Sequence, residues 1–151
     1  MMATDAGGAI DWAAIATRLA PERNYWLGTT TVGGAPHASP VWGVVVNDHF
    51  FIYTERQLAK ARNILRDPRI VIHTESAEHV VIVHGRMVDA GRPIDAPAVI
   101  DALRTKYDAP GDGQYLPSVD DAFDVLYRFE PQRALLWELS DYDGSQKRWT
   151  A

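Results

Sequence analysis

The chain has 151 residues, 46% of them hydrophobic, which suits one globular domain with a buried core and leaves no room for a second. A net charge of −5 argues against a general nucleic-acid surface, so any basic residues that matter must be clustered locally. The lack of cysteine excludes disulfide frameworks, thiolate metal sites, iron–sulfur clusters and cysteine nucleophiles, so redox chemistry would have to come from a bound cofactor.

Met1 is not followed by a basic, apolar and cleavable pattern, and no long uncharged apolar run occurs, so the expected location is cytoplasmic with no membrane span. The signatures G-x-G-x-x-G, P-loop, H-E-x-x-H and G-x-S-x-G are missing, as are internal repeats. Residues Met1 to Ala9 are small and polar, and the composition predicts disorder there. Asp11 is placed to cap a helix in which Trp12, Ile15 and Leu19 recur at helical spacing before Pro21. Tyr25 to Val32, rich in aromatic and β-branched types, predicts a first strand closed by a Gly33-Gly34 turn.

A second strand is expected over Pro36 to Val46. Pro36 and Pro40 each remove a ladder donor, so its first half must bulge or lie at a sheet edge. Asn47-Asp48 suits a turn with left-handed backbone angles, and His49 to Thr54 returns as a third strand. The following segment, up to Asp67-Pro68, predicts a short basic helix. Its wheel puts Leu58, Ala61 and Leu65 on one face and Arg56, Lys60 and Asn63 on another, with Thr54 as a candidate cap. Two readings of the basic face stand side by side here: an anion site built on the helix start, or an ordinary solvated surface.

Arg69 to His73 and His79 to Val88 predict two further strands, the second with a bend or bulge at Gly85. Ile94 to Tyr107 keeps helical spacing, and Ala109 to Pro117 is a loop by composition. Two last strands are expected at Phe123 to Phe129 and Arg133 to Leu139, joined through Glu130-Pro131. The tail from Asp141 ends in Gln146-Lys147-Arg148-Trp149 and would either be disordered or fold over a neighbouring site. Strands in meander order with one helix between the third and fourth predict a mainly β fold, a closed or nearly closed antiparallel barrel with flanking helices.

Three stretches carry a resemblance to a known family. They are Gly34-Ala35-Pro36-His37-Ala38-Ser39-Pro40-Val41-Trp42, the run Lys60 to Ile70 (KARNILRDPRI), and Val80 to Gly85 (VVIVHG), followed by a C-terminal Arg148-Trp149. In this order they resemble the split β-barrel, FMN-binding superfamily of pyridoxamine 5′-phosphate oxidase-like proteins. Within it the chain is most similar to the group B flavin/deazaflavin oxidoreductases, which use the deazaflavin coenzyme F420. The resemblance implies a homodimer with two equivalent cofactor clefts at its interface.

Transferred residue by residue, the resemblance assigns Thr54, Arg56, Gln57, Leu58, Ala59 and Lys60 to a phosphate-binding turn and helix start, with Lys60 as principal cation and Asn63 as an added polar contact. Ser39, Pro40, Val41 and Trp42 match the strand that faces the ring system. His79 and Val80 fall where the partner subunit contributes, and Arg148 with Trp149 matches a segment that closes over the cofactor. Relatives with a second cation in the phosphate turn have it where this chain carries Gln57 and Leu58. The chain also lacks the arginine-rich C-terminal motif of true pyridoxamine 5′-phosphate oxidases, so that activity is not expected.

The function implied is an F420-dependent oxidoreductase moving a hydride to a small conjugated or quinone-like acceptor. The alternatives are an FMN-binding relative or a non-catalytic binder of flavin, heme or F420. The ring system does the chemistry in such proteins, so no acid–base residue of the chain is expected to be catalytic. Extra cations at Arg56, Arg62, Lys147 and Arg148 would favour a cofactor with an anionic tail, although Arg62 lies on the far side of the wheel from Lys60 and reads as solvated. Three of the five histidines, His73, His79 and His84, sit on neighbouring predicted strands, but without tight metal-ligand spacing.

Overall fold

A computed structural model describes residues 9–118 and 122–151, so the segment expected to be disordered lies, Ala9 apart, outside the described residues. Asp11 does cap the first helix, α1 (Trp12–Leu19): its carboxylate accepts the Ala14 amide at 2.9 Å, and Ile15, Ala16 and Leu19 are buried beneath it. β1 (Tyr25–Thr30) and β2 (Pro36–Val41) form an antiparallel hairpin. Gly34 supplies the left-handed backbone of the connection at φ 85°.

The expected second strand is two strands. After β2 the chain leaves the ladder for one residue, Trp42, and resumes as β3 (Gly43–Val46), which pairs with β4 (His49–Thr54) instead of β1. Asn47 and Asp48 take the left-handed angles their types allow, φ 50° and 62°. The sheet order is β2-β1-β5-β6-β7-β4-β3, with β5 Arg69–Thr74, β6 His79–Asp89 and β7 Val125–Glu138. The two ends of that order are β2 and β3. Because one residue separates them in the chain, the sheet has to curl until its edges almost meet, which makes a split barrel. Proline-bearing β2 pairs with β1 alone, the edge position its missing donors require.

The two last expected strands are a single fourteen-residue β7. Pro131 is tolerated inside it because the β6–β7 register shifts between His84 and Gly85, leaving a bulge where a donor is not needed. Gly85 is obligatory there, since a Cβ would stand 2.2 Å from the Glu130 carbonyl oxygen and 2.7 Å from the Phe129 ring. The expected helix from Ile94 is interrupted. A 3₁₀ turn at Pro93–Asp95 precedes α3 (Pro97–Lys106), with Pro97 in the first turn, where its missing N–H costs nothing. The tail is ordered: α4 (Tyr142–Ser145) leads into β8 (Lys147–Thr150), which pairs with β7.

The main core fills the barrel and includes Leu19, Tyr25, Leu27, Phe50, Ile52, Ile72, Val83, Phe129 and Leu136. A second cluster, with Val44, Tyr53, Val99, Leu103, Tyr107, Leu116 and Leu126, packs α3 against the outside of the barrel. On the opposite sheet face, cross-strand neighbours Trp26, His73, Ile82 and Leu135 are only half covered. No helix among the described residues is long and apolar enough to cross a membrane.

Replacing Gly85 by alanine forces β6 away from β7 at the bulge. A loss of about 1–3 kcal/mol in unfolding free energy is expected, the usual range for an inserted carbon in a packed interior. Urea denaturation of the two proteins measures it.

Candidate functional site

The basic helix α2 (Ala59–Arg66) follows β4 through a turn closed by the Leu58 amide on the Glu55 carbonyl at 3.0 Å. Its packing face differs from the wheel reading. Ala61, Asn63 and Ile64 are buried, Leu65 is 86% exposed, and Leu58 is at the N-cap. Thr54 does not cap the helix. It ends β4, is buried, and faces the space in front of α2. Leu58 supplies no capping side chain, so the first-turn amides of α2 are left without a side-chain acceptor.

That space is a cleft of about 370 Å³. Pro40, Val41 and Trp42 form one wall at the seam between β2 and β3, and Thr54, Leu58 and Lys60 form the floor. Asn24, Tyr53, Tyr115 and Phe123 complete it. Lys60 is half-buried, and its ammonium donates to the Ser39 hydroxyl at 3.1 Å. Burial lowers its pKa below the ordinary lysine value, with distant Glu55 opposing the shift. Among the described residues no carboxylate lies within ion-pair distance of it. A cation that loses water to a wall of hydroxyl and amide groups is poised to receive an anion.

Other predicted residues are placed differently. The Arg56 guanidinium is bidentate on Asp89, at 2.8 and 3.2 Å, outside the cleft, and its amide donates to Asp124. Asn63 spends its amide inside the chain, donating to Thr29 and accepting from Arg66. Gln57 and Ala59 are exposed at the turn and helix start. His79 pairs with Glu138, which raises its pKa, and it lines with Val80 a separate hollow of about 310 Å³. Trp149 packs on Trp12 with ring centroids 5.5 Å apart, and Arg148 is exposed on the other side of β8. Within one chain neither the start of β6 nor β8 lines the cleft of Lys60.

Comparison with known proteins identifies the architecture. The family profile described as pyridoxamine 5′-phosphate oxidase matches residues 12–137. The chain belongs to the pyridoxamine 5′-phosphate oxidase family. Solved structures of similar fold include the conserved hypothetical protein Rv2991 of Mycobacterium tuberculosis, at 21% identity and TM-score 0.70, covering 91% of this chain and 90% of that one. A heme binding protein from Mycobacterium smegmatis matches at 22% identity and TM-score 0.67, over 95% of this chain and 59% of its own. A protein named F420 reductase matches at 21% identity and TM-score 0.60, over 76% of this chain and 90% of its own. No curated protein matches the chain.

Four cleft residues of this family member, Asn24, Tyr53, Tyr115 and Phe123, escape sequence reasoning. Asn24 sits just ahead of β1 and holds the Trp42 indole N–H at 3.1 Å. Tyr115 belongs to the 109–117 loop, whose shape comes from long-range contacts. Behind Trp42 lies a second half-buried cation, on α3. Lys106 donates to the Tyr25 hydroxyl and the Gly43 carbonyl, both at 2.8 Å. The Tyr107 hydroxyl donates to the Arg23 carbonyl at 2.7 Å and accepts from the Gly43 amide at 3.1 Å. These bonds hold the strand just after Trp42 in place.

Burial pushes Lys106 from 10.5 down to about 8 and Tyr107 up to about 12. A lysine with a depressed folded-state pKa binds fewer protons folded than unfolded between those two values, so stability contributed there rises with pH from about 8 towards 10. Above pH ~10 the buried tyrosines act in the opposite direction, because unfolded tyrosines ionise first. Lys106→Met is expected to flatten the rise between pH 8 and 10, measured as thermal midpoints across that range. An unchanged slope in the variant would show that the ammonium keeps its solution pKa.

Proposed function

We propose that the protein is an F420-dependent reductase, transferring a hydride between the deazaflavin coenzyme and a small conjugated or quinone-like molecule, with FMN as the alternative cofactor. The observation that carries this reading is the half-buried Lys60 ammonium at the uncapped start of α2, opening on a cleft and bonded, among the described residues, to a single hydroxyl. Lys60 and the α2 amides would hold the phosphate, while Pro40 and Val41 would lie along the ring system and Trp42 at its far edge, where the acceptor enters. The deazaflavin supplies the hydride chemistry when bound; the chain supplies orientation, exclusion of water and the choice of cofactor.

Family membership and the F420 reductase and heme binding neighbours support a cofactor-binding split barrel, and the finer choice of F420 is our own. We further propose that the working form is a homodimer, docked through the half-covered outer face of Trp26, His73, Ile82 and Leu135. Arg148 stands beside Leu135 in the strand register on that face. His79, Val80 and Arg148 would then reach a cleft only from a second copy, in keeping with their absence from the cleft lining within one chain. Exposed Arg148, together with half-buried Lys147, would favour a cofactor with an anionic tail.

Titration of purified protein with F420 and with FMN, followed in the visible spectrum, decides between the cofactors. Anaerobic turnover of the reduced complex decides between a reductase and a storage protein. Lys60→Ala is expected to weaken binding by about 1.5–3 kcal/mol, the range for a hydrogen bond to a charged group. Equal affinity would reject the phosphate role. Ile82→Arg, which puts a charge in the middle of the outer face, is expected to yield monomers by light scattering and to lower cofactor affinity with them.

A further inference from the structure

The cleft has a wall that neither the strand motif nor the phosphate turn describes. The loop over residues 109–117 is pinned at both ends. The Asp112 carboxylate, 5% exposed, accepts both terminal nitrogens of Arg23 at 2.7 and 3.0 Å and the Ala109 amide at 3.1 Å. Gly111 makes the turn possible at φ 89°. A 3₁₀ turn over Asp112–Tyr115 then delivers Leu116 to the α3 core cluster, and the Tyr53 hydroxyl donates to the Tyr115 carbonyl at 2.7 Å.

The consequence falls on one side chain. None of the contacts just named uses the Tyr115 side chain, and that residue is 56% exposed at the rim of the cleft. It stands at 86° to the Trp42 indole, with centroids 6.0 Å apart. Trp42 is itself immobilised: one face is stacked on Tyr107 at 4.1 Å and 5°, and its N–H is held by Asn24.

The Arg23 guanidinium carbon is 5.0 Å from the Trp42 centroid and 5.7 Å from that of Tyr107. Two such similar distances place it beside the stacked pair, not across the far face of the indole. Trp42 is half-buried and lines the cleft, so part of its indole is open to it. A partly open indole with a second, exposed ring standing at a right angle to it on the same cleft makes a corner. A flat ring entering it gains a stacked contact on one side and an edge contact on the other, whereas a puckered molecule gains neither fully.

We propose that Trp42 and Tyr115 form a preset aromatic corner that selects planar, ring-shaped electron acceptors, and that the Arg23–Asp112 pair is the positioning device that holds it open. The proposal deepens the reductase reading and rests on it for the meaning of the bound molecule as an acceptor. Tyr115 would set the substrate class without touching the phosphate end of the cleft. Its carbonyl bond to Tyr53 belongs to the backbone, so side-chain truncation leaves the loop anchored.

The test uses the full chain, with menadione as the flat probe and camphor as a puckered probe of similar size. Equilibrium dialysis measures binding of each to the protein alone and to the protein carrying oxidised cofactor; KM and kcat follow with the reduced form. Tyr115→Ala is expected to weaken menadione binding about five- to tenfold, the effect of losing one aromatic pair contact, and to raise KM by the same factor with kcat unchanged. Tyr115→Phe should behave as wild type, because the ring is what acts. Camphor should bind weakly to all three. Asp112→Asn, which keeps the loop's shape but weakens its hold on Arg23, should reproduce part of the menadione defect while cofactor affinity stays within about twofold.

Menadione binding unaltered in Tyr115→Ala, undetectable in wild type, or matched by camphor overturns the corner. So does a Tyr115→Phe defect equal to that of alanine. If neither F420 nor FMN binds the wild type, the reductase reading fails instead, while dialysis against the chain alone still reads the corner.

Discussion

One residue, Trp42, joins the two outer strands of the sheet, and the rest of the molecule follows from that connection. A flat sheet would hold β2 and β3 some six strand spacings apart. The covalent chain gives them a single residue. Only a sheet curled nearly into a cylinder satisfies both, and the seam where its edges meet is the place where backbone leaves the ladder and a cleft can open. The fold spends several bonds on steadying this seam. Asn24 holds the indole, Tyr107 stacks on it, and Lys106 and Tyr107 bond both polar groups of Gly43. Gly43 has to be small as well, because a Cβ there would meet the Phe50 ring at 2.6 Å.

The charged groups around the seam divide by how fully the protein has used them. Arg23 and Arg56 are each bidentate on a carboxylate, Asp112 and Asp89, and act as ties between loops and strands. Lys106 is desolvated, with a hydroxyl and a carbonyl as its acceptors, and clamps α3 to the barrel. Lys60 is desolvated too, but meets one hydroxyl at the edge of a cleft, next to helix amides that no side chain caps. Burying a cation without an anion is unfavourable. Lys60 differs from the other three in lining the cleft with no carboxylate within ion-pair reach among the described residues, and the proposed phosphate role rests on that difference.

The course of the chain was largely legible in its residues. Asp11 as a cap, the left-handed Asn47-Asp48 turn, Gly85 at a bulge and an edge position for the proline-bearing strand all follow from local stereochemistry, and the structure places them so. The motif around Lys60 to Ile70 pointed to the pyridoxamine 5′-phosphate oxidase family, to which the chain belongs. What misled was periodicity over short stretches. The α2 wheel gave Leu65 a buried place that the structure gives to Ile64, one residue away, because an eight-residue helix can turn by a fraction of a turn to suit the barrel it rests on.

Local chemistry thus determined most of the elements and turns and the one lysine on which a phosphate reading rests. It could not determine where the second strand divides, since Pro36 to Val46 is continuous in pattern and its break at Trp42 arises only when the sheet closes on itself. Nor could it find Arg23 opposite Asp112, 89 residues away, or the right angle between Trp42 and Tyr115. Such pairs have no sequence spacing to betray them. They exist because curling the sheet brings remote loops to one rim, and there the tertiary structure alone decides which side chains face the cleft.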